Sequence, residues 1–424
     1  MNEFSANSIK RSRLMYLLEA AFEYLISILV SSSFLATLTK ELGVSDSLTG
    51  ILSSIISLGC LFQLLSLSIR RTRVKKFVIL FSIINQILFM LLYVIPLVEF
   101  EKSTKIILFV IMIFSAYFIY NVAHPKKINW LMSLVDDNHR GIFTANKEII
   151  SLISGMIFSF AMGAVIDHFS STGRIRTAFT ISAVVIFILM ILHSITMIFA
   201  VEKPGIANPT KNLKQSVTEL VKNKNILHIT VVFLLYYIST YISTPFYGTY
   251  QIGELGLNLK FVSVITIFGS ISRILVSKFW GNYADKKSFA AMIEKCFIFL
   301  SVSQLCIVFA VPQTGKAMFV SYHILHGIAL GGINSALTNL IFEYIPSKSS
   351  ADALAVTQAF SGLAGFLTTL CISPLVSYIQ NNGNSLFGLP IYAQQFVTLI
   401  ALVFTVLAIF YTRYVFIKNT DKKA

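Results

Sequence analysis

The chain has 424 residues, of which 55% are hydrophobic and only 12% charged. A soluble domain carries roughly a quarter charged residues, so this composition excludes an ordinary soluble enzyme and places most of the chain in a bilayer. The formal net charge of +15 would suggest nucleic acid in a soluble protein. Here the excess sits in short loops between apolar runs, as the positive-inside rule requires, and no nucleic-acid partner is expected.

Residues 1–13 are polar and basic, with no small-residue cleavage site after the first apolar run, so that run is expected to be retained as a helix. A hydrocarbon core about 30 Å thick takes about 20 apolar residues per helical crossing. Runs of that kind predict helices over 14–38, 47–69, 76–98, 104–133, 140–168, 175–201, 227–252, 259–283, 290–312, 316–343, 351–379 and 390–417, twelve in all. The four cysteines (Cys60, Cys296, Cys306, Cys371) fall inside these runs without metal-ligand spacing. They read as packing residues, and neither a disulfide framework nor a metal or cofactor is expected.

An ionisable side chain inside a bilayer is a functional-site hypothesis by default. The first predicted helix carries Glu19 and Glu23 at i and i+4, hence on one face. Rising about 1.5 Å per residue from Arg13, Glu19 lies about 9 Å deep and Glu23 about 15 Å, close to the midplane. The fourth helix supplies Tyr117, Tyr120, Asn121 and His124 along one face, with Pro125 as an expected kink. Lys126 and Lys127 follow and are expected to snorkel toward the cytoplasm. In the fifth, Lys147 and Glu148 lie about two turns in, and Lys147 is expected to be buried and paired. The seventh is rich in tyrosine (Tyr236, Tyr237, Tyr241, Tyr247, Tyr250), and Pro245 permits a bend. The eighth places Arg273 near the midplane, the natural counter-charge for Glu23 or for an anionic substrate. The tenth presents His323 and His326 at i and i+3, then Asn334; histidine suits a proton relay.

Even crossings on each side of a central interruption put both termini on one face of the membrane. Lys and Arg number 21 in the segments that are cytoplasmic if the N-terminus is inside, against 7 in the opposite loops, which places both termini in the cytoplasm of a cytoplasmic (inner) membrane. The longest polar interruption, Lys203 to Lys224, divides the chain into an N-terminal six-helix bundle over 1–202, a cytoplasmic linker over 203–225 and a C-terminal six-helix bundle over 226–424. Within it Leu213, Val217 and Leu220 recur at helical spacing. A short amphipathic surface helix and a solvated linker both fit that pattern.

The halves echo each other. At an offset of 212, Tyr24/Tyr236, Ile26/Ile238, Ser27/Ser239, Ser31/Ser243, Phe34/Phe246 and Thr37/Thr249 match, and Ser154-Gly155 matches Ser361-Gly362. A repeat of six crossings must be parallel, which disfavours inverted-repeat architectures. The end of the eighth helix reads Trp280-Gly281-Asn282-Tyr283-Ala284-Asp285-Lys286-Lys287-Ser288. It resembles the loop signature of the major facilitator superfamily, to which Gly281, Ala284, Asp285, Lys286 and Ser288 conform while Phe289 replaces the closing basic residue. Arg140-Gly141-Ile142-Phe143 is similar to a second short element of that family. Gly and Ala at such a turn allow close helix approach, and Asp285 suits the positive end of a neighbouring helix, expected to be the start of the fifth with Arg140. The first half departs from the signature: its loop carries Arg70, Arg71 and Arg73 and no carboxylate. The eleventh helix opens with Ser349-Ser350-Ala351-Asp352, an S-x-x-D capping pattern. These residues suggest a charge-swapped gate between Asp352 and the basic loop; ordinary positive-inside charges explain the loop equally well.

The resemblance implies an all-α integral membrane protein with twelve helices in two pseudo-symmetric bundles. It also implies that helices one, four, seven and ten line a central cavity. Those helices carry Glu23, His124, Tyr237 with Tyr241, and His326. The expected function is secondary active transport of a small solute by alternating access, coupled to protons, in a monomer within the lipid bilayer. A non-transporting receptor or assembly factor of the same fold is the alternative, and efflux of amphipathic compounds the alternative mode. The fifth helix lacks the Gly-Pro element of drug/proton antiporters in that family. No phosphate-cradling loop, zinc-protease helix or nucleophile elbow occurs, so neither a nucleotide motor nor an enzyme is expected.

Overall fold

A computed structural model describes residues 6–68, 74–135, 140–202, 223–344 and 347–417. The helices follow the apolar runs. They are α1 (Ala6–Leu29), α2 (Ser32–Glu41), α3 (Asp46–Ser68), α4 (Lys75–Val94), α5 (Lys102–Met132), α6 (Arg140–Ser171) and α7 (Ile175–Phe199). After the central interruption come α8 (Lys224–Ser243), α9 (Leu259–Lys286), α10 (Phe289–Val308), α11 (Gly315–Tyr344), α12 (Ser347–Asn381) and α13 (Ala393–Thr412). Among the described residues, 11 helices are long and apolar enough to cross a membrane, or 12 if the bent pair α1–α2 is one span.

That pair corrects the single first helix expected over 14–38. It is bent by 41° at Ser32, whose φ of 49° places it in the left-handed region that non-glycine residues rarely adopt. At Pro245 the helix changes form without ending the span: α8 passes after Ser243 into a 3-10 turn (Thr244–Phe246), an α-helical turn (Tyr247–Thr249) and a π turn (Tyr250–Glu254), and Lys224–Glu254 is one apolar span. By contrast α5 runs through Pro125 to Met132. Between α12 and α13 a two-residue turn, Phe387–Gly388, joins strands β1 (Ser385–Leu386) and β2 (Leu389–Pro390). Both turn residues have positive φ, as a tight hairpin of this hand requires.

The membrane pattern is visible on single helices. On α7, Val184, Phe187, Ile188, Ile191, Ile195 and Ile198 are exposed, while Ala183, Ile186, Leu189, Met190, His193 and Met197 are buried. Both faces are apolar, which suits a helix with protein on one side and hydrocarbon on the other.

The helices form two compact units. Among the described residues, the first unit holds α1, α2, α3 from Phe62, α4 to α7 and Asn258–Ser263. The second holds Ser45–Leu61, α8, α9 from Val264 and α10 to α13. In the first, α1 packs on α6 and α7, and α4 packs on α5 and α7, around a core of Tyr16, Phe77, Val122, Trp130, Leu131 and Met197. In the second, α10 packs on α11 and α13, and α8 on α12 and α13. Phe233, Trp280, Ile293, Phe297 and Ile333 fill its larger core, and Ile242, Phe246, Val376 and Val397 a second one.

The unit boundaries cut two helices, and the contacts show why. Ser57 on α3 donates to the Gly362 carbonyl at 2.7 Å, and Ser373 donates to the Ser47 carbonyl at 2.9 Å. A Cβ on Gly362 would lie 2.5 Å from the Ser57 carbonyl oxygen, so glycine is required where α3 meets α12. In the first unit, Asp167 at the end of α6 accepts from the backbone N–H groups of Leu259 (3.0 Å) and Lys260 (2.6 Å). A carboxylate there satisfies two free donors at a helix N-terminus. Ser263 adds a bond to the Ser159 carbonyl at 2.9 Å.

Candidate functional site

Glu19 and Glu23 share one face of α1, as their spacing requires, and that face meets α5 and α7. From α5, Lys127 places its Nζ 2.6 Å from Glu19 Oε1 and also bonds Glu23 Oε2. From α7, His193 Nε2 lies 3.3 Å from Glu19 Oε1 and 3.5 Å from Glu23 Oε2. From α4, the Gln86 amide meets His193 Nδ1 at 2.9 Å. Four helices therefore converge on one cluster. Glu19 is 1% exposed, Lys127 4% and His193 0%. Charges removed this far from water persist only when paired and hydrogen-bonded, and this pairing supplies both.

The donor atoms of Glu19, Glu23 and His193 lie within 4.8 Å of one another, a spacing that suits a metal ion. The Lys127 ammonium bonds both carboxylates at that place, so the chain's own side chain supplies the cation. The cluster is an ion-pair network rather than a metal cradle.

A cleft borders the network. Glu23, Gln86, Asn85, Tyr120, His124 and Lys127 line it. Tyr120 and His124 face each other at 5.1 Å between ring centroids. Asn121 lies behind them, donating to the Tyr117 carbonyl at 2.8 Å and accepting from Gln63 at 3.0 Å. Four expected site residues, Glu23, Tyr120, His124 and, through the network, Glu19, thus come together with Asn121 beside them.

Three sequence expectations are corrected in this unit. Lys127 does not snorkel: it is buried between two carboxylates, because the α5 face that carries it turns inward onto α1. The counter-charge found beside Glu23 within this unit is therefore Lys127. Lys147, expected to be buried and paired, is half-buried with its ammonium 5.3 Å from the Tyr16 ring centre, a cation–π contact. His193 and Gln86 were not anticipated. Each is a polar residue isolated in an apolar run, and a histidine in mid-span is the signal that could have identified α7 as part of the site.

In the second unit, Tyr237 and Tyr241 stack at 5.9 Å. Arg273 is half-buried on α9. His326 stacks on Tyr322 at 4.9 Å, and His323 meets the edge of the same ring at 5.1 Å; His323 Nε2 is buried with no hydrogen-bond partner. The two histidines thus pack on the same aromatic ring. Asn334 is exposed further along α11.

The motif at the end of α9 also differs from expectation. The helix runs on to Lys286, so the turn comes at the end of the motif, where Lys287 and Ser288 connect α9 to α10 and Ser288 caps α10 by accepting from the Ala291 N–H at 3.1 Å; Gly281 has no atom within 4 Å of a would-be Cβ. Trp280 and Ala284 pack into the core, at 3% and 5% exposure, while Asp285 and Lys286 are exposed. Helix α12 starts at Ser347, ahead of Ser349, so Ser349 is not the N-cap and Asp352 lies in the second turn. Arg70, Arg71 and Arg73 lie outside the described residues, as does the expected surface helix at 212–221. Arg140 is described only as the first residue of α6.

These features define a multi-pass helical membrane protein whose apolar spans enclose a buried network of charges beside a cleft, the construction of a carrier. The chain belongs to the Major Facilitator Superfamily, whose family model matches residues 15–369. Solved structures share the fold. A mutant form of the nucleoside transporter NupG superposes with a TM-score of 0.71 at 14% identity, covering 96% of this chain and 100% of that one. A bacterial homologue of the human lysosomal transporter Spinster gives 0.64 at 12% identity, with 97% of each chain covered. A D-xylose-proton symporter gives 0.64 at 13% identity, covering 95% of this chain and 96% of that one. A comparison with curated protein sequences found no match. The protein is accordingly a secondary transporter of small molecules and not an enzyme.

Proposed function

We propose that this transporter moves a small polar solute across the cytoplasmic membrane by alternating access of its two halves, and that protons drive the movement through the Glu19–Glu23–Lys127–His193 network. One observation carries the reading: two carboxylates, Glu19 buried and Glu23 partly open to the cleft, share a single buried ammonium. With His193 neutral the four side chains hold one net negative charge, and one bound proton balances it. A buried group of this kind changes its charge only when its surroundings change, which ties protonation to conformation. The occurrence of a proton symporter among structures of the same fold is consistent with this coupling.

The solute-facing residues in this reading are Tyr120, Asn121 and His124 in the first unit, and Tyr237, Tyr241, Arg273, His323, His326 and Asn334 in the second. Arg273, half-buried on α9, is assigned to an anionic group of the solute. Aromatic rings, amides and both charge signs suit a polar or zwitterionic molecule better than an apolar one. Gating falls to the basic loop Arg70, Arg71 and Arg73 with Asp352, and to the Asp285 segment with Arg140. Both termini face the cytoplasm, and the monomer is the working unit.

The test uses purified protein in proteoliposomes with an internal pH-sensitive dye and pooled radiolabelled sugars, nucleosides and amino acids. Solute-dependent proton flux is expected in the parent and lost in Glu23→Gln. Solute uptake without proton flux in the parent would refute the coupling while leaving the transport activity.

A further inference from the structure

Gln86 sits 2% exposed on α4 and makes an unequal use of its amide. The nitrogen meets His193 Nδ1 at 2.9 Å, whereas Oε1 is buried with no hydrogen-bond partner. An orphaned buried acceptor is destabilising, and a leucine would fill the space without one. A neutral imidazole with its hydrogen on Nε2 accepts at Nδ1 and needs a donor there, which Gln86 Nε2 provides. The Nε2–H then points at Glu19 and Glu23, 3.3 and 3.5 Å away. An imidazolium carries hydrogen on both nitrogens and needs an acceptor at Nδ1 instead. Turning the glutamine amide about its last bond exchanges nitrogen for oxygen in nearly the same volume. The orphan Oε1 is the atom that this second state requires.

We propose that Gln86 is a positioning residue that reads the protonation of His193: its amide donates Nε2–H to Nδ1 of the neutral ring and turns over to accept Nδ1–H when the ring takes a proton. The step is balanced, because one proton is added to Nδ1 and only hydrogen bonds are exchanged. His193 can then alternate between charge states without ever losing its Nδ1 partner, and its Nε2–H stays directed at the carboxylates in both. The other groups that surround it do not offer this. From α1 come Glu19, Glu23 and Tyr16, from α5 Lys127 and His124, and from α6 Lys147 with Glu148; α4 contributes Gln86. The two carboxylates meet the ring at Nε2, and the hydrogen-bond partner of Nδ1 is Gln86. The inference rests on the proton-coupled reading above, and is testable without any solute.

The experiment is infrared difference spectroscopy of the full chain in lipid, stepped between about pH 9 and pH 5, the range over which histidine titrates. Samples carry side-chain 13C-labelled glutamine or ring-labelled histidine. In the parent an isotope-sensitive glutamine carbonyl band is expected to shift in step with the histidine bands, and to vanish in both Gln86→Leu and His193→Asn. A His193 signal that titrates with no change in the glutamine carbonyl overturns the proposal, and needs only the parent protein. So does a His193 signal that never titrates; proton flux surviving that result would keep coupling and move the proton to the carboxylates. A responsive amide without solute-driven proton flux would refute coupling and leave the Gln86 assignment standing. In transport, Gln86→Glu is expected to move the pH midpoint upward by at least about one unit, tenfold in proton concentration, because a carboxylate at Nδ1 offers only an acceptor and adds a negative charge, both of which favour the imidazolium. A midpoint unchanged in Gln86→Glu and Gln86→Leu would count against the assignment.

Discussion

Lys127 is the residue on which the buried charges depend. Its ammonium bonds two carboxylates that α1 presents side by side, and no water reaches Glu19 to take its place. Breaking a buried pair by removing one partner costs about 3–5 kcal/mol. Lys127→Met should therefore lower the unfolding temperature in detergent sharply, and Lys127→Met combined with Glu19→Gln should recover part of the loss; two equal losses would show that the ion pairs are unimportant to stability. At this scale the sequence was readable in part. The spacing of Glu19 and Glu23 alone placed them on one face. Lys127 was misjudged because a lysine near a helix end can reach water by its stem, and only the direction of the α5 face shows that it does not. His193 and Gln86 carry no periodic companion, so the one local mark of each is its polarity inside an apolar run.

Helices pack here through glycines as much as through bulky side chains. A Cβ on Gly327 of α11 would stand 2.2 Å from the Gly269 carbonyl oxygen of α9, and one on Gly269 would stand 2.8 Å from the His323 carbonyl oxygen. Two backbones in contact cannot yield as a side chain can. Gly327→Ala is expected to destabilise by about 1–3 kcal/mol, the usual range for overpacking, visible as a lower melting temperature in detergent; a neutral result would mean that α9 and α11 are not in contact at this point. Long apolar runs gave the helices and most of their limits to within a few residues, since hydrocarbon leaves the backbone no other choice. The breaks were less visible. Pro245 marks the change of helical form after Ser243, but the bend at Ser32 has no sequence marker.

Over the whole chain, the twelve-crossing plan was readable from composition, whereas the helix segments at Ser45–Leu61 and Asn258–Ser263 join units that sequence order does not suggest. Their pairing rests on Ser57 with Gly362 and on Asp167 with Leu259, residues hundreds or tens of positions apart. The orientation proposed from the Lys and Arg distribution has a direct check. Reporter fusions after Glu202 and Lys287 should be active only in the cytoplasm, and fusions after Phe100, Gly173 and Thr314 only outside; the reverse pattern would invert the transporter. The buried network also has a consequence for biogenesis. Glu19 is separated from Lys127 by 108 positions and from His193 by 174. At about 5–20 residues per second, Glu19 waits roughly 5 to 20 seconds for its ammonium to be synthesised. An acidic residue at the centre of a span opposes insertion by about 2.5–3.5 kcal/mol, and α1 passes as a span only together with α2. The opening helix is thus expected to insert weakly until α5 has been made, so chains cut before Lys127 should leave α1 incompletely inserted in a glycosylation-mapping assay; full insertion of those short chains would refute the dependence.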